Sequence, residues 1–116
     1  MSAEWKLYYN PQCSKCREAL ALLSEQGIAM EVIEYLKTPP SKEDLETIAA
    51  QVDSLPALVR IKDEKFTQEP FDVNSKETVI ANLLKHPSLL ERPILQGKGQ
   101  AVIGRPVEKI LQILQS

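Results

Sequence analysis

Asn10-Pro11-Gln12-Cys13-Ser14-Lys15-Cys16-Arg17 holds both cysteines of the chain, a turn-forming Asn-Pro pair and a cation within eight residues, and its reading decides the fold. Upstream, Trp5-Lys6-Leu7-Tyr8-Tyr9 is a run of aromatic and apolar residues that predicts a short β-strand. Downstream, Cys16, Ala19, Leu20, Leu22 and Leu23 recur at helical spacing as far as Gly27, so the order is strand, cysteine loop, helix. Cys13 then falls at or just before the first helical turn. Free backbone N–H groups and the positive end of the helix dipole favour thiolate over thiol there, which makes Cys13 the candidate nucleophile. The same N–H groups form a cradle for an anion.

Cys16 follows three residues later, the neighbouring position on one helix face, so the two sulfurs can meet as a dithiol or disulfide. C-x-x-C beside a β-α pattern is a redox signal. Two plainer readings stand beside it. One is half of a zinc site, but structural zinc takes four ligands, there is no third cysteine, and the one histidine, His86, is far along the chain, so no metal is expected. The other treats Cys16, on the apolar side of its helix, as a small core residue.

At 116 residues the chain suits one compact domain spanning residues 1–116. Its 43% hydrophobic and 26% charged residues fit a water-soluble protein, and no run approaches the roughly eighteen apolar residues of a membrane span, so no membrane association is expected. The start, Met1-Ser2-Ala3-Glu4-Trp5-Lys6, lacks the basic and apolar regions of a signal peptide, so the expected compartment is the cytoplasm. A C-x-x-C pair there is reduced at rest and cycles or senses rather than stapling the fold. The net charge of −2 argues against direct nucleic-acid binding. Lysines outnumber arginines ten to four. The arginines are Arg17, beside the C-x-x-C, Arg60, and Arg92 and Arg105, each immediately before a proline. A planar guanidinium binds oxyanions bidentately, so this placement suggests an anion site, against the alternative of four ordinary surface cations.

Residues 28–35 read as a second strand, parallel to the first if the helix is a crossover. After Pro39-Pro40, Ser41 and Asp44 resemble a capping box opening a helix through Leu45, Ile48, Ala49 and Val52. Residues 55–61 read as a short helix with Arg60 near its end, and residues 62–74 as a polar loop. Asn74 or Ser75 can cap a helix through Val79, Ile80, Leu83 and Leu84 that stops before Pro87, placing His86 at its C-terminal end in a structural role. Residues 87–91 fit one more helical turn. Two apolar runs around Gly97-Lys98-Gly99-Gln100 read as a hairpin, and Pro106 as the first position of a last helix carrying Val107, Ile110, Leu111, Ile113 and Leu114. The order β-α-β, helical segment, β-β-α is that of an α/β thioredoxin-like fold with a helical insertion between its halves. Pro93 stands where that fold carries its cis-proline.

Taken together, Tyr9-Asn10-Pro11-Gln12-Cys13, Tyr35-Leu36 with Pro39-Pro40, Ala57-Leu58-Val59-Arg60, His86-Pro87 with Glu91-Arg92-Pro93-Ile94, and Gly104-Arg105-Pro106-Val107-Glu108 resemble the glutaredoxin-linked arsenate reductase (ArsC) family over nearly the whole chain. The resemblance implies an oxidoreductase of arsenic detoxification whose Cys13 thiolate attacks arsenate. It also implies that Arg60, Arg92 and Arg105 bind the oxyanion, that glutathione is co-substrate with no bound cofactor, that glutaredoxin is the protein partner, and that arsenite is released. A monomer is expected. Two departures stand out: Tyr9 occupies a position where the family often has His, and Cys16 one where it often has Ser or Thr. Tyrosine supplies no imidazolium to lower a thiol pKa, so Cys13 must lean on the helix terminus and the arginines. Cys16 offers itself as a resolving thiol for Cys13. The alternatives are a general thiol-disulfide oxidoreductase and an Spx-like regulator that binds RNA polymerase.

Overall fold

The computed structural model describes residues 4–114; residues 1–3, the start of the stretch read against a signal peptide, and residues 115–116 lie outside it. Strands β1 (Trp5–Tyr9), β2 (Met30–Glu34), β3 (Ile94–Gly97) and β4 (Gln100–Ile103) form one sheet in the order β2-β1-β3-β4. β1 runs parallel to β2 and antiparallel to β3, and β3 and β4 form the hairpin. The helices are α1 (Ser14–Glu25), α2 (Lys42–Gln51), α3 (Glu64–Gln68), α4 (Lys76–Lys85) and α5 (Lys109–Leu114). This is the thioredoxin-like arrangement, with α2 to α4 inserted between β-α-β and β-β-α.

Strand alternation divides the core between the two sheet faces. Trp5 and Leu7 of β1 and Leu95 of β3 pack with Ala19 and Leu23 of α1 and Ile110 of α5. Tyr8 and Ile94 point the other way, into Leu45 and Ile48 of α2 and Val79, Ile80 and Leu83 of α4. Helix ends follow the sequence signals. Gly27, at φ 69°, closes α1: the Ile28 N–H donates to Leu23 O at 3.1 Å and the Gly27 N–H to Ser24 O at 3.0 Å, a Schellman motif whose left-handed residue suits glycine. Ser41 and Asp44 form the reciprocal capping box of α2, and Ser75 rather than Asn74 caps α4. His86 is the residue after α4, its N–H donating to Asn82 O at 2.8 Å. Among the described residues no helix is long and apolar enough to cross a membrane.

Three local expectations are corrected. Residues 55–61 do not make a helix ending near Arg60: Pro56–Leu58 forms a single 3-10 turn, and Val59 leaves it to pair with Leu90 in an antiparallel bridge. Buried Leu58, Val59, Leu89 and Leu90 drive that pairing, a long-range preference that local periodicity does not report. The polar stretch 62–74 contains α3, started by Asp63, whose carboxylate accepts from the Lys65 N–H at 2.9 Å; its brevity and lack of buried residues hide it from an apolar-pattern search. Pro106 does not open the last helix. The Arg105–Pro106 bond is cis, the chain turns through Val107 and Glu108, and α5 begins at Lys109.

Gly104 sits where a side chain has no room. A Cβ there would lie 2.8 Å from Ile110 Cδ1 and 3.0 Å from Pro93 Cγ. Gly104→Ala is expected to destabilise the protein by about 1–3 kcal/mol through overpacking, read as a lowered denaturation midpoint at unchanged m-value.

Candidate active site

Strand registers assemble the site. β1 pairs antiparallel with β3 as far as Tyr8 and Ile94, so the cysteine loop that opens at Asn10 and the segment carrying Arg92 leave the sheet at the same end. The hairpin pairs Ile94 with Ile103; the Gly104 N–H donates to Pro93 O at 2.8 Å, and one step further Arg105 faces Arg92. The Val59–Leu90 bridge supplies the third arginine. The Arg60 N–H donates to Leu89 O at 2.8 Å and the Glu91 N–H to Leu58 O at 2.7 Å, which sets Arg60 opposite Leu89, on the segment that leads into Glu91 and Arg92, and all three line one cleft. Pro93 follows a cis bond from Arg92.

The loop itself is locally determined. Asn10 Oδ1 accepts from the Gln12 N–H at 2.9 Å, the Asx turn that Asn favours, and the Cys13 N–H donates to Asn10 O at 2.9 Å. Cys13 is the N-cap residue of α1 and Cys16 lies in its first turn. Both are buried free thiols, Cys13 at 7% exposure and Cys16 at 0%. Their environments push them apart. Burial works against the Cys13 thiolate, but the backbone N–H and thiol of Cys16, together with the Arg92 guanidinium, outweigh it and hold Cys13 below the ordinary thiol range. Burial pushes Cys16 up to about 12; the nearby negative charge of Cys13 adds to this, while the Asn10 backbone and Arg92 oppose it. The pair therefore divides into Cys13, whose anion the surroundings favour, and Cys16, which keeps its proton and donates toward it.

Arg105 Nη2 lies 3.6 Å from Cys13 Sγ, and Arg105 Nε donates to Arg92 O at 2.7 Å and pairs with Glu91 Oε1 at 3.2 Å. Arg60 Nη1 donates to Ser88 O at 3.1 Å and pairs with Asp63 at 3.3 Å. Arg92 differs from both: its Nε and Nη1 are buried and have no hydrogen-bond partner among the described residues. Leaving buried donors unpaired is costly, by about 1–3 kcal/mol per group, and such an arrangement points to a ligand that completes it. Arg60, Arg92 and Arg105 line one cleft of about 460 Å³ together with Lys62, Asp63 and Glu91. Cys13 is not part of that lining; its sulfur meets the cleft through Arg105.

Arg17 stands apart from the other arginines, its Nη1 donating to Pro11 O at 2.8 Å on the exposed side of the loop. Tyr9 is turned to the α1 and α5 side of the sheet. Tyr35, at 1% exposure, lies behind the site, where burial raises its hydroxyl pKa despite Arg92, Arg60 and the Asn10 side chain. Glu91 and Asp63 were not singled out from sequence. Asp63 had a usable signal in its i,i+3 spacing from Arg60, whereas Glu91 meets Arg105 only through the hairpin. Among the described residues no group of three or more His, Cys, Asp or Glu is placed to hold a metal ion.

The ArsC family model matches residues 8–113. Arsenate reductase of Neisseria meningitidis is 40% identical over 115 residues, 96% of this chain and 98% of that protein. Arsenate reductase of Haemophilus influenzae is 38% identical over 113 residues, 93% and 97% of the two chains. The solved structure of arsenate reductase from Vibrio cholerae superposes with a TM-score of 0.84 at 40% identity, covering 97% of this chain and 99% of that one. With the family model spanning nearly the whole sequence and the solved relative sharing the fold from end to end, the chain belongs to the ArsC family.

Proposed function

We propose that the protein is an arsenate reductase in which Cys13 is the nucleophile and Arg60, Arg92 and Arg105 hold the oxyanion. The observation that carries this reading is the pair of unpartnered buried donors of Arg92, in a cleft with two further arginines and next to a thiol held below its ordinary pKa. Relatives named arsenate reductase at 38–40% identity support it.

The Cys13 thiolate attacks arsenic(V) and one arsenate oxygen, once protonated, leaves as water. The guanidiniums neutralise the oxygens as charge builds, without losing their own protons. A second thiol then attacks the Cys13 sulfur. Two thiols give up two electrons to arsenic and become a disulfide, and arsenite departs. We assign the second thiol to glutathione, with glutaredoxin reducing the resulting mixed disulfide. Cys16 is fully buried and, with a pKa near 12, stays protonated at neutral pH, which suits it to stabilise the Cys13 thiolate rather than to attack. A groove of about 480 Å³ sharing Glu91 and Arg105 with the cleft, and lined further by Ala57, Val102 and Lys109, gives a tripeptide-sized thiol room to approach. The protein acts in this reading as a cytoplasmic monomer of one domain.

The test is arsenate-dependent NADPH oxidation with glutathione, glutaredoxin and glutathione reductase, run beside a thioredoxin-coupled assay. Turnover in the first alone is expected. Turnover with thioredoxin and no glutathione would assign the second thiol to Cys16, and reduction of protein disulfides without arsenate turnover would favour the general oxidoreductase. Cys16→Ser is expected to keep glutathione-dependent turnover within about tenfold of wild type and to leave the pH at which Cys13 is alkylated no higher, because a hydroxyl is a stronger donor than a thiol; Cys16→Ala, which removes the donor, is expected to raise it.

A further inference from the structure

Three guanidiniums explain why the cleft takes an anion, but not why it also contains carboxylates. Asp63 is accounted for: Oδ1 caps α3 at the Lys65 N–H, and Oδ2 pairs with Arg60. Glu91 is different. Its contacts with the Arg92 N–H, at 3.1 Å, and with Arg105 Nε, at 3.2 Å, both fall on Oε1. Oε2 takes neither, and Glu91 lines the cleft with the three arginines at a side-chain exposure of 22%.

An ionised carboxylate oxygen only accepts hydrogen bonds. Set beside bound oxyanion oxygens, it is attracted to one that carries a proton and repelled by one that does not. Arsenate and phosphate keep at least one proton at neutral pH, whereas sulfate and selenate keep none. We propose that Glu91 makes the cleft selective for tetrahedral oxyanions that retain a proton, accepting their O–H at Oε2 and rejecting fully deprotonated dianions of the same shape. The inference rests on the cleft being the oxyanion site and extends it to the class of anion taken. It is selectivity by an unfavourable contact with the wrong ligand, added to the attraction that all such anions share. A site built to bond a ligand hydroxyl discriminates strongly against an analogue lacking it, so at least a tenfold preference is expected.

Glu91→Gln separates this role from simple support of Arg105. The glutamine carbonyl oxygen accepts the same Arg92 N–H and stays in contact with Arg105 Nε, while its amide places a donor where Oε2 accepts. Asp63→Asn removes the same charge from the same cleft without changing a contact offered to the ligand. Phosphate and sulfate are titrated into each protein at pH 7.5 and matched ionic strength, followed by arginine Nε–H shifts, a readout that needs no turnover. Wild type is expected to bind phosphate at least tenfold more tightly than sulfate. Glu91→Gln should bring the ratio to about one or below, and Asp63→Asn should tighten both anions while leaving it unchanged. The proposal is overturned if wild type binds the two equally, or if Glu91→Gln weakens both alike, which is what a mere support for Arg105 would do. Binding of neither anion overturns it together with the oxyanion reading, whereas the expected ratio without arsenate turnover upholds the selectivity and sinks only the reductase assignment.

Discussion

Cys13→Ser is expected to lower arsenate reduction by at least about a thousandfold, the largest effect of any single substitution in this protein. Serine keeps the N-cap position and nearly the same volume, so the fold and the arginine cleft should survive. It removes the attacking atom: at neutral pH a hydroxyl has no appreciable anionic fraction. The anion titration of the arginine cleft should be little changed in this variant, which separates loss of chemistry from loss of binding. Residual turnover within tenfold of wild type would move the nucleophile elsewhere. The wild-type pH profile gives an independent check. Because its surroundings lower the Cys13 pKa, its alkylation by iodoacetamide should rise with pH through an inflection below that of an unperturbed thiol. Cys16, at about 12, should stay unlabelled across that range.

Arg92 is expected to show the next largest effect. Its guanidinium has two roles at once: it stabilises the Cys13 thiolate, and it presents the buried unpartnered donors to the anion. Arg92→Lys keeps the charge but loses the planar fork. A lost charge-assisted contact is worth about 1.5–3 kcal/mol, so kcat/KM should fall roughly ten- to a hundredfold, with little change in the alkylation profile. Arg92→Met removes the charge as well. Its kcat/KM should fall further, and the alkylation inflection should move to higher pH, since a cation that favours the thiolate has gone. Equal kinetics in wild type, Arg92→Lys and Arg92→Met would remove Arg92 from the site.

The local features of this protein were legible in its sequence because short-range physics sets them. Asn10-Pro11 dictates the turn, the apolar repeat from Cys16 to Leu23 dictates the helix that follows, and together they put Cys13 at a helix N-terminus. The capping box at Ser41 and the Gly27 stop are likewise local. Strand and helix order then led to the thioredoxin-like fold, since few connections satisfy the handedness and adjacency rules. What composition and spacing left open was whether Arg60, Arg92 and Arg105 were surface cations, because no local rule joins residues so far apart. Strand register joins them: one hairpin sets Arg105 opposite Arg92, and one two-residue bridge, driven by burial of Val59 and Leu90, brings in Arg60. The same pairing undid the helix expected around Arg60. It also gave Glu91 a place in the cleft: adjacency to Arg92 was visible in the sequence, but the contact with Arg105 was not, because it forms only when the hairpin closes.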